Sequence, residues 1–68
     1  MSVARITEIK SSSSKSFDDA ISDGIKRAGK TLDNIKSAWI QDQEVIVNDS
    51  GDIVEYRVLM KVTFVLKN

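Results

Sequence analysis

From Glu55 to Leu66 the chain alternates strictly. Tyr56, Val58, Met60, Val62, Phe64 and Leu66 fall on one side of a two-residue period, and Glu55, Arg57, Leu59, Lys61, Thr63 and Val65 on the other. Successive side chains of a strand point to opposite faces, so the pattern predicts a β-strand over 53–66 with one apolar face. At 3.3 Å per residue such a strand runs roughly 46 Å. In a chain of 68 residues, one element of that length dictates what the others must do. They have to cover it.

The strongest helical pattern begins at Ser16. Phe17, Ala20, Ile21, Gly24, Ile25 and Ala28 recur at helical spacing and form a single apolar stripe. Ser16 is placed to accept the N–H of the third helical residue, and Asp19 stands where a capping-box acid belongs. Asp18 and Asp19 lie at the start and Lys26, Arg27 and Lys30 near the end, which complements the helix dipole. Gly29 is the expected C′ residue. Gly24 costs about 1 kcal/mol of helix propensity, so a close packing partner is expected there.

Two further strands complete a β-α-β-β order. Val3, Ile6 and Ile9 mark a first strand over 3–10. The serine run Ser11–Ser14, followed by Lys15, is expected to be a loop leading into the helix. Residues 30–35 connect the helix to a second strand over 36–47, with Leu32 and Ile35 folding back on the core. Asn48, Asp49, Ser50, Gly51 and Asp52 are turn residues, so the second and third strands form a hairpin. Ala38 and Ile40 are expected on the helix side of the sheet, and Ser37, Trp39, Gln41 and Gln43 on the other. The whole chain, 1–68, is one domain of the α+β class.

A helix over 16–29 spans roughly 21 Å, less than half the third strand. One helix cannot cover that sheet, and Trp39, Leu59 and Val65 are left on its far face. Small domains ordinarily compensate with a disulfide, a metal or a partner. There is no cysteine and no histidine. Disulfides and thiolate metal sites are therefore excluded, along with the commonest general base. A symmetric homo-oligomer is the expected stabiliser. Ten basic and ten acidic residues balance, which gives no electrostatic footprint for nucleic acid. No apolar run reaches membrane-span length, and Met1–Arg5 lacks the apolar core of a signal peptide. The expectation is a cytoplasmic, non-enzymatic protein without membrane or nucleic-acid partners.

The chemistry available for binding is limited and specific. Trp39, the single tryptophan, offers a stacking surface for a flat ligand or an anchor for an interface. Arg57 shares its face and presents a planar fork suited to a carboxylate, a phosphate or a ring carbonyl. Its alternative is an ion pair. Gln41, Asp42, Gln43 and Glu44 form a polar stretch within a strand, in which Asp42 and Glu44 are candidate oxygen ligands for a cation. The acids around Gly51 lack the remaining ligands of a calcium loop, so a hairpin turn is the expectation there.

The order of these pieces resembles the dodecins, over essentially the whole chain. The resemblance rests on Val3–Ile9, the Ser11–Ser13 loop, Phe17–Ala20, Ile25–Ile35, the Asp42–Gln43 pair, Tyr56–Val58 and Lys61–Leu66. Ala28, Lys30–Leu32 and Val62–Phe64 are its most specific part. It implies a three-stranded antiparallel sheet partly wrapped around one helix, assembled into a hollow homododecamer. It also implies storage of a flat aromatic ligand such as FMN, riboflavin or FAD at subunit interfaces, without turnover. The flavin-binding pattern has a tryptophan where this chain has Ser37 and a glutamine where it has Arg57. Trp39 lies two residues on, which keeps it on the same face about 7 Å away. Ser37, Trp39, Gln41 and Arg57 are thus the expected ligand contacts. Other members of the family bind metal ions instead, which makes calcium or magnesium the alternative.

Overall fold

The structure is a computed structural model that describes residues 3–66. Met1 and Ser2, on which part of the signal-peptide reading falls, lie outside the described residues. Strand β1 (Ala4–Ser13) is followed by helix α1 (Phe17–Ala28), then strands β2 (Ile35–Val47) and β3 (Ile53–Val65). The sheet is antiparallel throughout, with order β1-β3-β2. The long alternating strand is therefore the central one, as its patterning requires. Its residues Val58, Met60 and Val62 are fully buried and, with Ala20, form the core. Phe17, Ile21 and Ile25 of the helix stripe and Ile9, Ile35, Ala38 and Ile40 of the flanking strands pack around them. Phe17 also meets Tyr56 edge to face, with ring centroids 5.2 Å apart.

The serine run is mostly strand. Ser11, Ser12 and Ser13 pair with Val58, Arg57 and Tyr56 on β3, which extends β1 three residues past the expected end. Helix packing explains it. A Cβ built on Gly24 would lie 2.8 Å from Ser11 Cβ and 2.8 Å from Met60 Cε. Only a glycine facing a small strand residue lets α1 lie this close to β1 and β3. Ser13 then ends the strand as a buried hinge. Its Oγ donates to Asp19 Oδ2 at 2.7 Å and accepts the Lys15 N–H at 2.9 Å and the Ser16 N–H at 3.4 Å. Ser16 caps the helix as expected, accepting the Asp19 N–H at 3.0 Å. The Asp19 carboxylate turns to Ser13, so the expected reciprocal half of the capping box is replaced by a strand-to-helix bond.

The helix exit also differs from expectation. Gly29 is right-handed, at φ −64°. The chain leaves through a tightened turn in which Thr31 and Leu32 donate to Ala28 O. The left-handed residue is Asn34, at φ 62°. Asparagine tolerates that conformation better than most side chains. Asn34 O accepts the Val65 N–H at 3.1 Å, which fixes the start of β2 to the end of β3.

The hairpin turn forms where expected. Gly51 takes φ 84°, and Asn48 Oδ1 accepts the N–H groups of Ser50 and Asp52. Beyond the helix the β2–β3 hairpin continues as an arm that leaves Val45, Val47, Ile53 and Val54 exposed. The molecule measures 53 × 19 × 14 Å, with a radius of gyration of 14.1 Å. A compact chain of this length has about 11 Å. The mismatch between strand and helix length is thus present in three dimensions.

Three irregularities interrupt the β2–β3 ladder: an extra residue on β2 at Lys36, a second on β2 at Gln41, and one on β3 at Val54. The middle one corrects the face assignment. Gln41 lies in the bulge, outside the ladder, and Gln43 pairs with Val58, on the helix face rather than with Trp39.

Gly24→Ala is expected to lower the melting temperature. The gain in helix propensity of about 1 kcal/mol is outweighed by an overpacking cost of about 1–3 kcal/mol. Adding Ser11→Gly should restore part of the loss. Thermal melts of the single and double variants check this, and a more stable Gly24→Ala protein would refute the close-approach argument.

Candidate functional site

The sheet face turned away from α1 is built of rungs, one residue per strand in the order β1, β3, β2. They run Ile6–Thr63–Ser37, Glu8–Lys61–Trp39, Lys10–Leu59–Asp42 and Ser12–Arg57–Glu44. No bulge falls between Ser37 and Trp39, so the two share this face on successive rungs. The expected two-residue displacement of the tryptophan is therefore a displacement along one surface.

Trp39 is 66% exposed despite lying within a strand. β2 is an edge strand, so among the described residues no further strand flanks the ring. From the central strand, Lys61 Nζ lies over the indole, 5.5 Å from the ring centroid. At an exposed site this cation–π contact is worth about 0.5–1 kcal/mol.

Arg57 shares the face but not the contact. It stands four residues from Lys61 along β3, roughly 13 Å away. Its guanidinium is engaged with Glu55, Nε to Oε1 at 3.0 Å and Nη2 to Oε2 at 3.4 Å. The hydrogen bond from Arg57, helped by one from Ser12, holds the Glu55 carboxyl below its ordinary range, and Glu55 in turn raises Arg57. Lys10 pairs with Glu44 across the sheet at 3.2 Å. Lys10, Asp42, Glu44 and Arg57 surround a hollow of about 360 Å³ floored by Leu59 and Val58 and flanked by Gln43. The hollow opens beside the bulge at Gln41, one rung from Trp39. Asp42 and Glu44 do lie on one face, but two cations stand beside them. Among the described residues no group of three or more acidic side chains is gathered for a metal ion.

The structure thus places Ser37 and Trp39 together, Arg57 two rungs off, and Gln41 in the bulge between them. Two residues that shape the face were not singled out in the sequence. Glu55 was legible as Arg57's partner, since residues two apart on a strand share a face. Lys61 was not, because its position opposite Trp39 depends on the register between two strands, which a bulge at Lys36 shifts. What the face offers is a flat ring, a fixed cation and paired charges, which suits stacking and charge recognition.

Comparison with known proteins gives a consistent picture. The family model described as Dodecin matches residues 3–67. Calcium dodecin of Mycobacterium tuberculosis is 30% identical over 67 residues, spanning 98% of this chain and 93% of the relative. Dodecin from Streptomyces davaonensis superposes with a TM-score of 0.93 at 36% identity, covering 98% of this chain and 97% of its own. The crystal structure of the M. tuberculosis protein, described as calcium chelating with a novel calcium-binding site, superposes at 0.82 with 28% identity, covering 96% and 91%.

The Glu55–Arg57 fork predicts a sign. A carboxylate whose folded pKa is depressed adds stability above its unfolded value and loses it as pH falls through the folded one. Melting temperatures measured from neutral pH down through the acid range should fall less steeply for Glu55→Gln than for the unsubstituted protein. The effect is small because the pair is open to solvent. Parallel curves would show that the fork contributes nothing.

Proposed function

The chain belongs to the dodecin family, and on that footing we propose that it sequesters flavin or a similar flat aromatic ligand at contacts between subunits, with Trp39 as the stacking platform. Dodecins are binding and storage proteins that assemble as hollow dodecamers, and no step of turnover is part of the reading.

The observation that carries it is the exposure of the one indole on the sheet face the helix leaves uncovered. A tryptophan buries on the order of 200 Å² when covered, the largest single contribution a side chain offers to stacking. In this chain two thirds of it is exposed, and Lys61 stands over the ring. Ser37 and Thr63 on the neighbouring rung are small and leave the shelf flat on that side. On the other side, the hollow beside Leu59 is lined by polar groups and suits the hydroxylated tail of a flavin. Gln41 borders the path between shelf and hollow. Arg57 would meet that tail, or a ligand carried by a neighbouring subunit, rather than the stacked ring.

The likeness to calcium dodecin supports a second reading. In it Asp42 and Glu44 supply oxygen ligands that become complete where copies of the chain meet, for calcium or magnesium. Glu44 must then exchange Lys10 for the ion. This reading needs no aromatic ligand.

Titrating the assembled protein with riboflavin, while following flavin and Trp39 fluorescence, separates the two. The expected result is mutual quenching at micromolar concentrations and a roughly tenfold or greater loss of affinity in Trp39→Ala, in line with stacking worth about 1–3 kcal/mol. Light scattering should still report a particle of about twelve subunits for that variant. Absence of quenching removes the flavin reading. A melting temperature lowered by chelator and restored by calcium would establish the second.

A further inference from the structure

We propose that the β2–β3 arm of one copy docks on the helix-exit end of a second, so that the chain assembles head to tail. The family sets how many copies assemble. The inference is which two surfaces meet, and it does not depend on what the far face binds.

The arm carries an apolar strip. Val45 pairs with Tyr56 and Val47 with Ile53, and β2 keeps its period of two from Val45 to Val47, so the four share the helix side of the sheet. The strip continues the core past Phe17, where α1 begins, and Val47 and Ile53 are about half exposed. The arm is also acidic. Residues 41–56 hold Asp42, Glu44, Asp49, Asp52 and Glu55 and no lysine or arginine. Lys10 and Arg57 engage Glu44 and Glu55, which leaves Asp42, Asp49 and Asp52.

The other end of the molecule has the complementary character. A notch of about 230 Å³ lies between the helix exit and the end of β3, lined by Leu32, Asn34, Phe64, Val65 and Leu66. Its surroundings are basic. Arg5 stands opposite Phe64 on β1, Lys36 is the extra residue beside Phe64 on β2, and Lys30 belongs to the helix exit. Asp33 is the one acid between Lys30 and Lys36. Among the described residues none of Asp42, Asp49, Asp52, Arg5, Lys30 and Lys36 is in an ion pair.

A second copy is the occupant that fits. Strip and notch lie at the two ends of β3, whose first and last residues, Ile53 and Val65, are roughly 40 Å apart. The arm therefore cannot reach the notch of its own chain. Two arms laid face to face would set acid against acid, whereas arm on notch sets acid against base and apolar against apolar. The contact joins two different surfaces, so it is heterologous and closes into a ring when repeated about an axis. Two-fold pairing of a single patch stops at a dimer, while a ring-forming contact lets a shell of copies grow and close.

Native mass spectrometry and light scattering of the full chain over a range of protein concentrations provide the test. Asp49→Lys/Asp52→Lys and Lys30→Glu/Lys36→Glu each set like charges against each other. In both, the particle should dissociate at a protein concentration about tenfold or more above that of the unsubstituted chain, with a smaller difference at high salt. Combining the four substitutions pairs the charges again and should restore the particle. The arm substitutions together with Lys15→Glu/Lys26→Glu, at two lysines outside both surfaces, have the same net charge as the fourfold variant and should stay defective. A particle that neither pair moves overturns the inference, and so does a defect that the fourfold variant leaves or that the net-charge control repairs as well. The strip is then covered by a two-fold copy of itself or by a different protein. Riboflavin binding is read separately, so loss of the flavin reading leaves the head-to-tail contact standing.

Discussion

Ser11 Cβ and Met60 Cε both lie where a side chain on Gly24 would begin, and that close approach of α1 to β1 and β3 orders much of the molecule. It makes Met60 a fully buried residue and puts Val58 and Val62 beside it under the helix. It draws the serine run into the sheet, because only small residues fit beneath the glycine. It also brings Ser13 under the first helical turn, where one hydroxyl satisfies Asp19 and two backbone donors. The helix is thereby committed to one side of the sheet and one end of it.

That commitment leaves the opposite face to function. Among the described residues the large side chains that are fully buried are Met60, Val58 and Val62, so the core is thin. The exposed apolar residues lie where the helix does not reach: Ile6 and Trp39 on the far face, and Val45, Val47, Ile53 and Val54 on the arm. The same geometric shortfall produces a need for partners and a surface on which a ligand can sit between them. On the proposed function, stability and binding draw on one face, with Trp39 as its largest apolar group.

How much of this was legible in the sequence depends on what each feature rests on. The alternation of Tyr56 through Leu66 and the stripe from Phe17 to Ala28 are properties of single segments, and both elements form as their periods require. The hairpin turn at Asn48–Asp52 is equally local. Features that depend on two segments were not legible. Nothing in the composition of Ser11–Ser13 announces a strand, since its reason is a glycine thirteen residues away from Ser11. Gly29 looked like the left-handed exit, but the connection needs that geometry at Asn34, where the chain turns toward the end of β3. At the candidate site, Trp39 and Ser37 were found because a period of two holds between them. Gln43 was misplaced because it does not hold across Gln41. Arg57 was assigned to the right face, while its engagement with Glu55 and its distance from Trp39 required the register.

The bulge at Gln41 fixes the parity of everything that follows it on β2. Were Gln41 to take a place in the ladder, Gln43 and Val45 would exchange sides with Asp42 and Glu44, and the arm would turn its carboxylates toward the helix side. Whether this one residue bulges thus decides which surface of the arm is charged. Removing it would straighten β2 and leave Asp42 opposite Leu59 as before, so the sides follow from the pairing and not from the count alone. A strand of fixed sequence therefore carries two alternative surfaces, and the register of its partner selects between them.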